Sequence, residues 1–468
     1  MDGKYFESEI LNAVRKSEIN KYLELSKSYS LSYIENINKR NVYPTSKAIR
    51  DLDIFDEGLP QTPQTTEEII ELLNTYGSPA TVAQTGGRYF GFVNGGILPA
   101  SLSARWLSDT WDQNTALSIM SPIASKLEEV VEQWIIDLLQ LPPTTGVGLL
   151  TGSSTATLCG VIAGRNHLLK NNGLDITKTG IQSSDDIKVV ISEEAHASVF
   201  KALRMIGIGS DTVAKIPADS QGRLLVSNLP EIDNKTLIIL QAGNLNTGAY
   251  EDFQSICTSA NQKGAWVHVD GAFGLWAAAS ENLSHLTKGM ELADSWSADA
   301  HKTLNAPYDN GMILCKRRED LINALQMTGP YIISASEKRD GMMYTPDMSR
   351  RARGVELWAT LKSLGSQGVQ ELVDELHHKA LYFADQLRAR NFEIVNEVDF
   401  NQVLVYFNDD EKTDKLLKEI QESGVCWMGG SRWSEKAVIR ISVCSYKTTY
   451  QDIDISVNEI ERLSKSIS

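Results

Sequence analysis

Four short segments carry side chains whose types and spacing could do chemistry. Lys302 closes the run Asp294-Ser295-Trp296-Ser297-Ala298-Asp299-Ala300-His301-Lys302 and is followed by Thr303-Leu304-Asn305-Ala306-Pro307. Small neighbours of this kind desolvate an ammonium and lower its pKa, which a Schiff-base lysine needs; the plain alternative is a solvated lysine past a strand. Asp270 ends the apolar run Val267-His268-Val269 and precedes Gly271-Ala272-Phe273-Gly274. Ligands of open α/β sheets sit beyond the carboxyl ends of strands, so an acid there can face one, although an Asp in such a place also caps helices. Thr151-Gly152-Ser153-Ser154-Thr155-Ala156-Thr157 lies between an apolar run and a helical pattern. Free backbone N–H groups and hydroxyls at that point make an anion cradle. The segment has neither a Walker lysine nor a G-x-S-x-G elbow, which argues against a nucleoside triphosphate and against a serine nucleophile. His196, in Glu193-Glu194-Ala195-His196-Ala197-Ser198, follows a further apolar run. No second His lies one helical turn away, so a zinc motif is not supported.

The elements that must position these residues read as an alternation. Apolar runs at 147–150, 187–192, 236–241, 265–269 and 311–315 are expected to be buried strands. Helical patterns lie at 154–170, 196–206 and 252–263. Such alternation predicts an α/β layer with a largely parallel sheet. Upstream, residues 1–60 read as a helical arm, 66–75 as a helix, 86–96 as a Gly-rich loop and 125–140 as an amphipathic helix stopped by Pro142-Pro143. Downstream of about residue 370 the pattern changes to a long helix (371–391), strands near 392–396, 402–407 and 437–444, and helices near 413–423 and 449–466. The expected division is therefore an arm (1–60), a large α/β domain (61–365) and a small C-terminal α+β domain (366–468).

Composition sets bounds on function. The 468 residues are 42% hydrophobic and 22% charged, as in an ordinary globular protein too long for one core. A formal charge of −15 argues against a general nucleic-acid binder. Five scattered cysteines without CxxC or metal-ligand spacing fit reduced cytoplasmic thiols. The polar start MDGKYFESEI does not read as a signal peptide, and no run of about eighteen apolar residues predicts a membrane span.

Taken together, a phosphate cradle, an imidazole for one ring face, an acid for the ring nitrogen and a Schiff-base lysine match the needs of pyridoxal 5′-phosphate. The carboxylate keeps the pyridine nitrogen protonated, and the protonated ring accepts electrons from a breaking bond at Cα. The chain resembles the group II pyridoxal-phosphate-dependent amino-acid decarboxylases of the fold-type I superfamily, which include aromatic-amino-acid and glutamate decarboxylases. The stretches that carry the resemblance are TGSSTATL (151–158), EEAHASVFKAL (193–203), QAGNLNTGAYED (241–252), HVDGAFG (268–274), DSWSADAHK (294–302) and RRARGVELWATLKSLG (350–365). They occur in family order over roughly residues 85–370. The resemblance implies that Lys302 bonds the cofactor, Asp270 pairs with its pyridine nitrogen and Ala272 lies under its ring. It implies that His196 stacks on the other face, that Ser153 and Ser154 hold the phosphate, and that Asp299 and His301 line the phosphate side of the lysine. Arg353 matches the arginine before the helix at 354–365.

Three positions depart from the family pattern. Asn244-Leu245 stands where Thr-Thr is usual; Asn244 can still donate to the cofactor's phenolic oxygen. Thr303 replaces an aromatic residue after the lysine. The tyrosine that protonates the carbanion is expected to be Tyr344, with Tyr331 the runner-up, in a segment (331–349) that is short for the family. The implied reaction is decarboxylation of an L-amino acid to its amine and CO2 by a homodimer, with no nucleic-acid or membrane partner. Aminotransferase, aldehyde synthase and Cα–Cβ lyase chemistry are the alternatives on the same cofactor, and a non-enzymatic cofactor-binding protein the alternative in another class. The segment Thr110–Asn114 with Trp111, and Trp427 and Trp433, could receive a flat side chain, whereas Arg88, Arg353 and Arg432 could receive an acidic one; the aromatic choice is preferred.

Overall fold

The computed structural model describes residues 8–180, 187–326 and 338–467. The N-terminal region holds α1 (Glu9–Arg15), α2 (Ile19–Asn36), α3 (Ser46–Arg50), α4 (Thr66–Leu72), β1 (Tyr89–Phe90), α5 (Pro99–Trp111) and α6 (Pro122–Leu138). The sequence explains several of their limits. Thr65 and Glu68 close a capping box at the start of α4. Prolines stand in the first turns of α5 and α6, where their missing N–H costs nothing.

The central region runs β2 (Gly146–Leu150), α7 (Ser153–Asn171), α8 (Ile176–Thr179), β3 (Lys188–Ser192), α9 (Ala197–Met205), β4 (Val213–Ile216), β5 (Thr236–Gln241), α10 (Phe253–Lys263), β6 (Trp266–Asp270), β7 (Ser295–Asp299), β8 (Gly311–Cys315) and α11 (Arg318–Leu325). Its seven strands form one sheet in the order β2-β8-β7-β6-β5-β3-β4. β8 runs antiparallel to both of its neighbours, and the pairs among β7, β6, β5, β3 and β4 are parallel. The register sets Gln241 beside Asp270 and Asp270 beside Ser297, so β5 and β6 stop in step and β7 runs two residues further, to Asp299. One core packs α6, α10 and the first half of the long helix α12 (Gly354–Arg388) on one face of this sheet. Another packs α7, α9 and α11 on the opposite face. Helices on both faces explain why strands such as β2, β5 and β6 are buried along their whole length.

The remaining elements are β9 (Glu393–Ile394), β10 (Gln402–Tyr406), α13 (Asp410–Ser423), β11 (Trp427–Trp433), β12 (Lys436–Ser442) and α14 (Tyr450–Ser464). They build a second sheet, ordered β1-β11-β12-β10-β9, with its own core. The strands β4, β7 and β11 are not expected from the sequence, and two further features differ from that expectation. The helices expected at 354–365 and 371–391 are one element, α12, broken only at Gly365 (φ 65°, ψ −179°), where a residue without Cβ takes the left-handed conformation. The stretch expected as a loop at 86–96 contributes Tyr89–Phe90 as a parallel edge strand to the C-terminal sheet, paired with Trp427 and Met428. A segment upstream of the main sheet thus closes the small one.

Candidate active site

The chemistry-bearing residues converge at the carboxyl edge of the large sheet. Asp299 ends β7, Asp270 ends β6, and Ser153 opens α7 just past β2. His196 caps the start of α9 after β3. Lys302 follows β7 by one tight turn.

Asp299 is the hub of this edge. Its Oδ1 accepts the Ser153 backbone N–H at 2.6 Å, and its Oδ2 accepts the Ser153 hydroxyl at 2.8 Å. Lys302 Nζ lies 3.0 Å from the same Oδ2, and His301 Nε2 lies 3.7 Å from it. His301 Nδ1 accepts the Asn310 N–H at 3.1 Å, which leaves the ring proton on Nε2, toward Asp299. The turn after the lysine is tied down at several points. The Thr303 hydroxyl donates to the Phe273 carbonyl at 2.7 Å. Asn305 is fully buried: its Oδ1 accepts from the N–H groups of Gly96 and Tyr446, and its Nδ2 donates to the carbonyls of Thr303 and Cys444.

Asp270 is buried and has no ion-pair partner within 4 Å among the described residues. Its Oδ1 accepts the Ala272 N–H at 3.2 Å and lies 3.4 Å from the Ser297 hydroxyl, which is itself 3.0 Å from the Thr157 hydroxyl. Burial pushes the Asp270 carboxyl above its usual range, against the pull of His196 and Lys302. His196 Nδ1 accepts the Ser198 N–H at 3.2 Å, so a neutral imidazole carries its proton on Nε2. Burial lowers the His196 pKa, with Asp270 acting the other way. Two residues deeper in β6, burial holds His268 neutral, its pKa pushed down to about 3.

Other sequence candidates fall elsewhere. Ser154 is exposed at the mouth of the cradle. Asn244 is buried, with its Oδ1 engaged by the N–H groups of Asn246 and Thr247 at 2.9 and 3.2 Å. Its amide nitrogen borders Gly222, where a Cβ would stand 2.7 Å away. The structure does not bring Tyr344 to the Lys302 cluster. The ring is buried in the core beneath α7, with the Arg339 guanidinium 3.9 Å from its centroid. The expectation of a tyrosine displayed on a loop therefore does not describe Tyr344, and Tyr331 lies outside the described residues. Trp433 is also buried, donating to the Ser220 carbonyl at 3.2 Å. Trp427 stacks on Tyr89 at 5.1 Å and on Phe92 at 5.5 Å. Phe92 belongs to the loop whose Gly95 packs on the Lys302 backbone.

The three arginines singled out for an acidic substrate each have a carboxylate. Arg88 lies 3.8 Å from Asp452, Arg353 3.1 Å from Asp309 and Arg432 3.0 Å from Asp410. Sequence reasoning missed Arg440 on β12. Its guanidinium is buried, donates to the Leu245 carbonyl at 3.3 Å, and has no ion-pair partner within 4 Å among the described residues. Its charge also lowers the His196 pKa, which places it beside the site.

The model of the pyridoxal-dependent decarboxylase conserved domain matches residues 49–408. An aromatic-L-amino-acid decarboxylase of Bacillus atrophaeus is 25% identical over 465 residues, covering 93% of this chain and 94% of that protein. A 3,4-dihydroxyphenylacetaldehyde synthase of Drosophila melanogaster is 23% identical over 472 residues, covering 95% and 91%. The crystal structure of Oryza sativa TDC with PLP and tryptamine superposes with a TM-score of 0.87 at 20% identity, covering 99% of both chains.

Proposed function

The chain belongs to the pyridoxal-dependent decarboxylase family, and on that premise we propose that it converts an L-amino acid, preferably aromatic, to its amine and CO2 with pyridoxal 5′-phosphate. The observation that carries this reading is Asp270. A buried carboxylate without a cation in contact is costly, and a protonated ring nitrogen is the cation that would complete it. Lys302 and the start of α7 lie along the same sheet edge, so the residues present fit the group. When bound, the cofactor supplies an electron sink for the bond broken at Cα.

The chain's own residues hold and orient. Lys302 would bond the cofactor, and Asp299, 3.0 Å from Nζ, would line the phosphate side of the lysine. Asp270 would keep the ring nitrogen charged, with Ala272 beneath the ring and His196 on the other face. Ser153, Ser154 and His301 would line the phosphate end, and Asn244 the phenolic oxygen. His196, with its proton on Nε2 when neutral, would donate to the substrate carboxylate or return a proton at Cα. Arg440 offers an uncommitted positive charge for that carboxylate. Tyr89, Phe92 and Trp427 form an aromatic wall suited to a flat side chain.

A second reading, aldehyde synthase, is favoured by one observation: Tyr344 is packed in the core rather than presented to the site. A panel of L-amino acids with separate detection of CO2, amine, aldehyde, ammonia and peroxide tests both readings. The expected result is CO2 and amine in equal amounts, greatest with an aromatic substrate. CO2 with aldehyde, ammonia and peroxide would select the second reading, and turnover without CO2 would sink both.

The assembly is read as a homodimer. Neither α1 nor α2 buries a residue, although Ile10, Leu11, Val14 and Leu23 are apolar. A further exposed apolar stretch includes Trp106, Trp111, Ile119 and Met120. Exposed apolar residues in such number on these elements support an interface between copies of the chain. The arm (1–60), large domain (61–365) and small domain (366–468) remain the proposed units, with β1 crossing between the last two. No helix among the described residues is long and apolar enough to cross a membrane. The five buried free thiols support a reducing, cytoplasmic setting.

A further inference from the structure

We propose that Asp299 is a built-in anion that competes with the cofactor's phosphate for the start of α7, and so sets how tightly the site holds that phosphate. This rests on the reading of the site as one for pyridoxal 5′-phosphate. A helix start attracts anions through its free N–H groups and its axial dipole. Here a carboxylate of the chain already has the first of those groups. Ser153 gives its N–H to Oδ1 at 2.6 Å and its hydroxyl to Oδ2 at 2.8 Å, so both oxygens are engaged by one residue.

The surroundings are shaped for that carboxylate. A Cβ on Gly311 would stand 2.7 Å from Oδ1, and one on Gly152 would stand 3.6 Å from it. The Asp299 side chain is only 3% exposed, so solvent ions screen it little. Among the described residues the one cation in contact is Lys302 at 3.0 Å, with the His301 ring 3.7 Å away. A phosphate monoester brings about 1.5 to 2 further negative charges and three acceptor oxygens to the same few donors. Ser153 cannot give one N–H and one hydroxyl proton fully to two anions. The phosphate must therefore share these donors with a neighbouring carboxylate or displace it, and its affinity is lower than the cradle alone would give.

The test uses the full chain with Asp299→Asn and, because an amide could also donate, Asp299→Ala. Inorganic phosphate is titrated by calorimetry on cofactor-free protein, pyridoxal 5′-phosphate by absorbance, and the adduct at Lys302 is mapped after borohydride reduction. Both variants should bind inorganic phosphate and cofactor about tenfold more tightly than the parent, the scale of one poorly solvated charge at a helix end. A purely structural role for Asp299 would leave the variants binding phosphate equally or more weakly, and that outcome overturns the inference alone. A parent chain with no adduct at Lys302 would overturn the cofactor reading, and this inference with it.

Discussion

Among the described residues Arg440 has no carboxylate of its own; it is held against the Leu245 carbonyl and near His196. Replacing it with Gln keeps a hydrogen-bond donor and removes the charge. If it receives the substrate carboxylate, Arg440→Gln should raise KM about ten- to a hundredfold, the range for a charge-assisted hydrogen bond. Binding of the cofactor, followed by absorbance, should stay within about twofold of the parent. An unchanged KM would remove Arg440 from the site. In the sequence Arg440 sits in AVIRIS, where a strand residue facing solvent looks the same as one facing a ligand. The arginines that did attract notice lie beside small or aromatic residues, but their carboxylates are remote in sequence: Asp452 for Arg88 is 364 positions away (452 − 88). Spacing along the chain carries no record of such a pairing. Asp270 and His196 were legible because each sits just past an apolar run, a position that aims a side chain at the sheet edge, and Lys302 was legible from the small residues around it.

At the scale of elements, the connection from β4 to β5 leans on one acid. Ala218 and Leu224 bridge, and the Leu224 N–H donates to Glu251 Oε2 at 2.7 Å, while Glu251 Oε1 has no partner among the described residues. Burial pushes the Glu251 carboxyl up to about 8. The folded chain therefore binds this proton more firmly than the unfolded chain, where a Glu titrates near about 4.3. Its contribution to stability is full below that value and is lost as pH rises through about 8. Glu251→Gln keeps an acceptor for Leu224 and abolishes the loss. Urea unfolding at about pH 5, 7 and 9 should show the variant gaining on the parent as pH rises, by at most about 1.4 kcal/mol per unit. A constant offset at all three would refute it. Two of the strands that the sequence pattern missed, β7 and β11, share a physical reason. β7 reads Ser-Trp-Ser-Ala-Asp and β11 contains Gly429-Gly430, so neither shows an apolar run. β7 is nevertheless buried throughout, because Ser297 and Asp299 spend their polar atoms on the site and its supports. A strand that gives one face to polar, site-supporting side chains loses the hydrophobic signature by which buried strands are recognised.

For the whole molecule, the layered sheet and the smaller C-terminal unit were readable from alternation and its end near residue 370. The entry of Tyr89–Phe90 into the far sheet was not, because two residues carry no periodicity. The proposed dimer makes a prediction at this scale. Ile119 is 70% exposed and Met120 46%. Changing both to Asp should cost little in an isolated chain but several kcal/mol across a dry interface, on the order of 2 kcal/mol for each buried anchor. Sedimentation should then find monomers at concentrations where the parent is dimeric; an unaltered mass would place the contact elsewhere.

Asn305 joins three regions distant in sequence through a single carboxamide: the lysine turn, the glycine-rich segment before α5, and the strand exit at Cys444–Tyr446. Two lone pairs and two protons are all that an amide side chain has to give, and each is spoken for. Neither Asp nor Leu, though similar in size, can reproduce that split, since one would face two carbonyls with lone pairs and the other would strand four polar groups. The reactive amine is therefore moored to the C-terminal unit as well as to the sheet beneath it. Any swing of that unit about the Gly365 break must either carry the lysine turn along or tear this knot first.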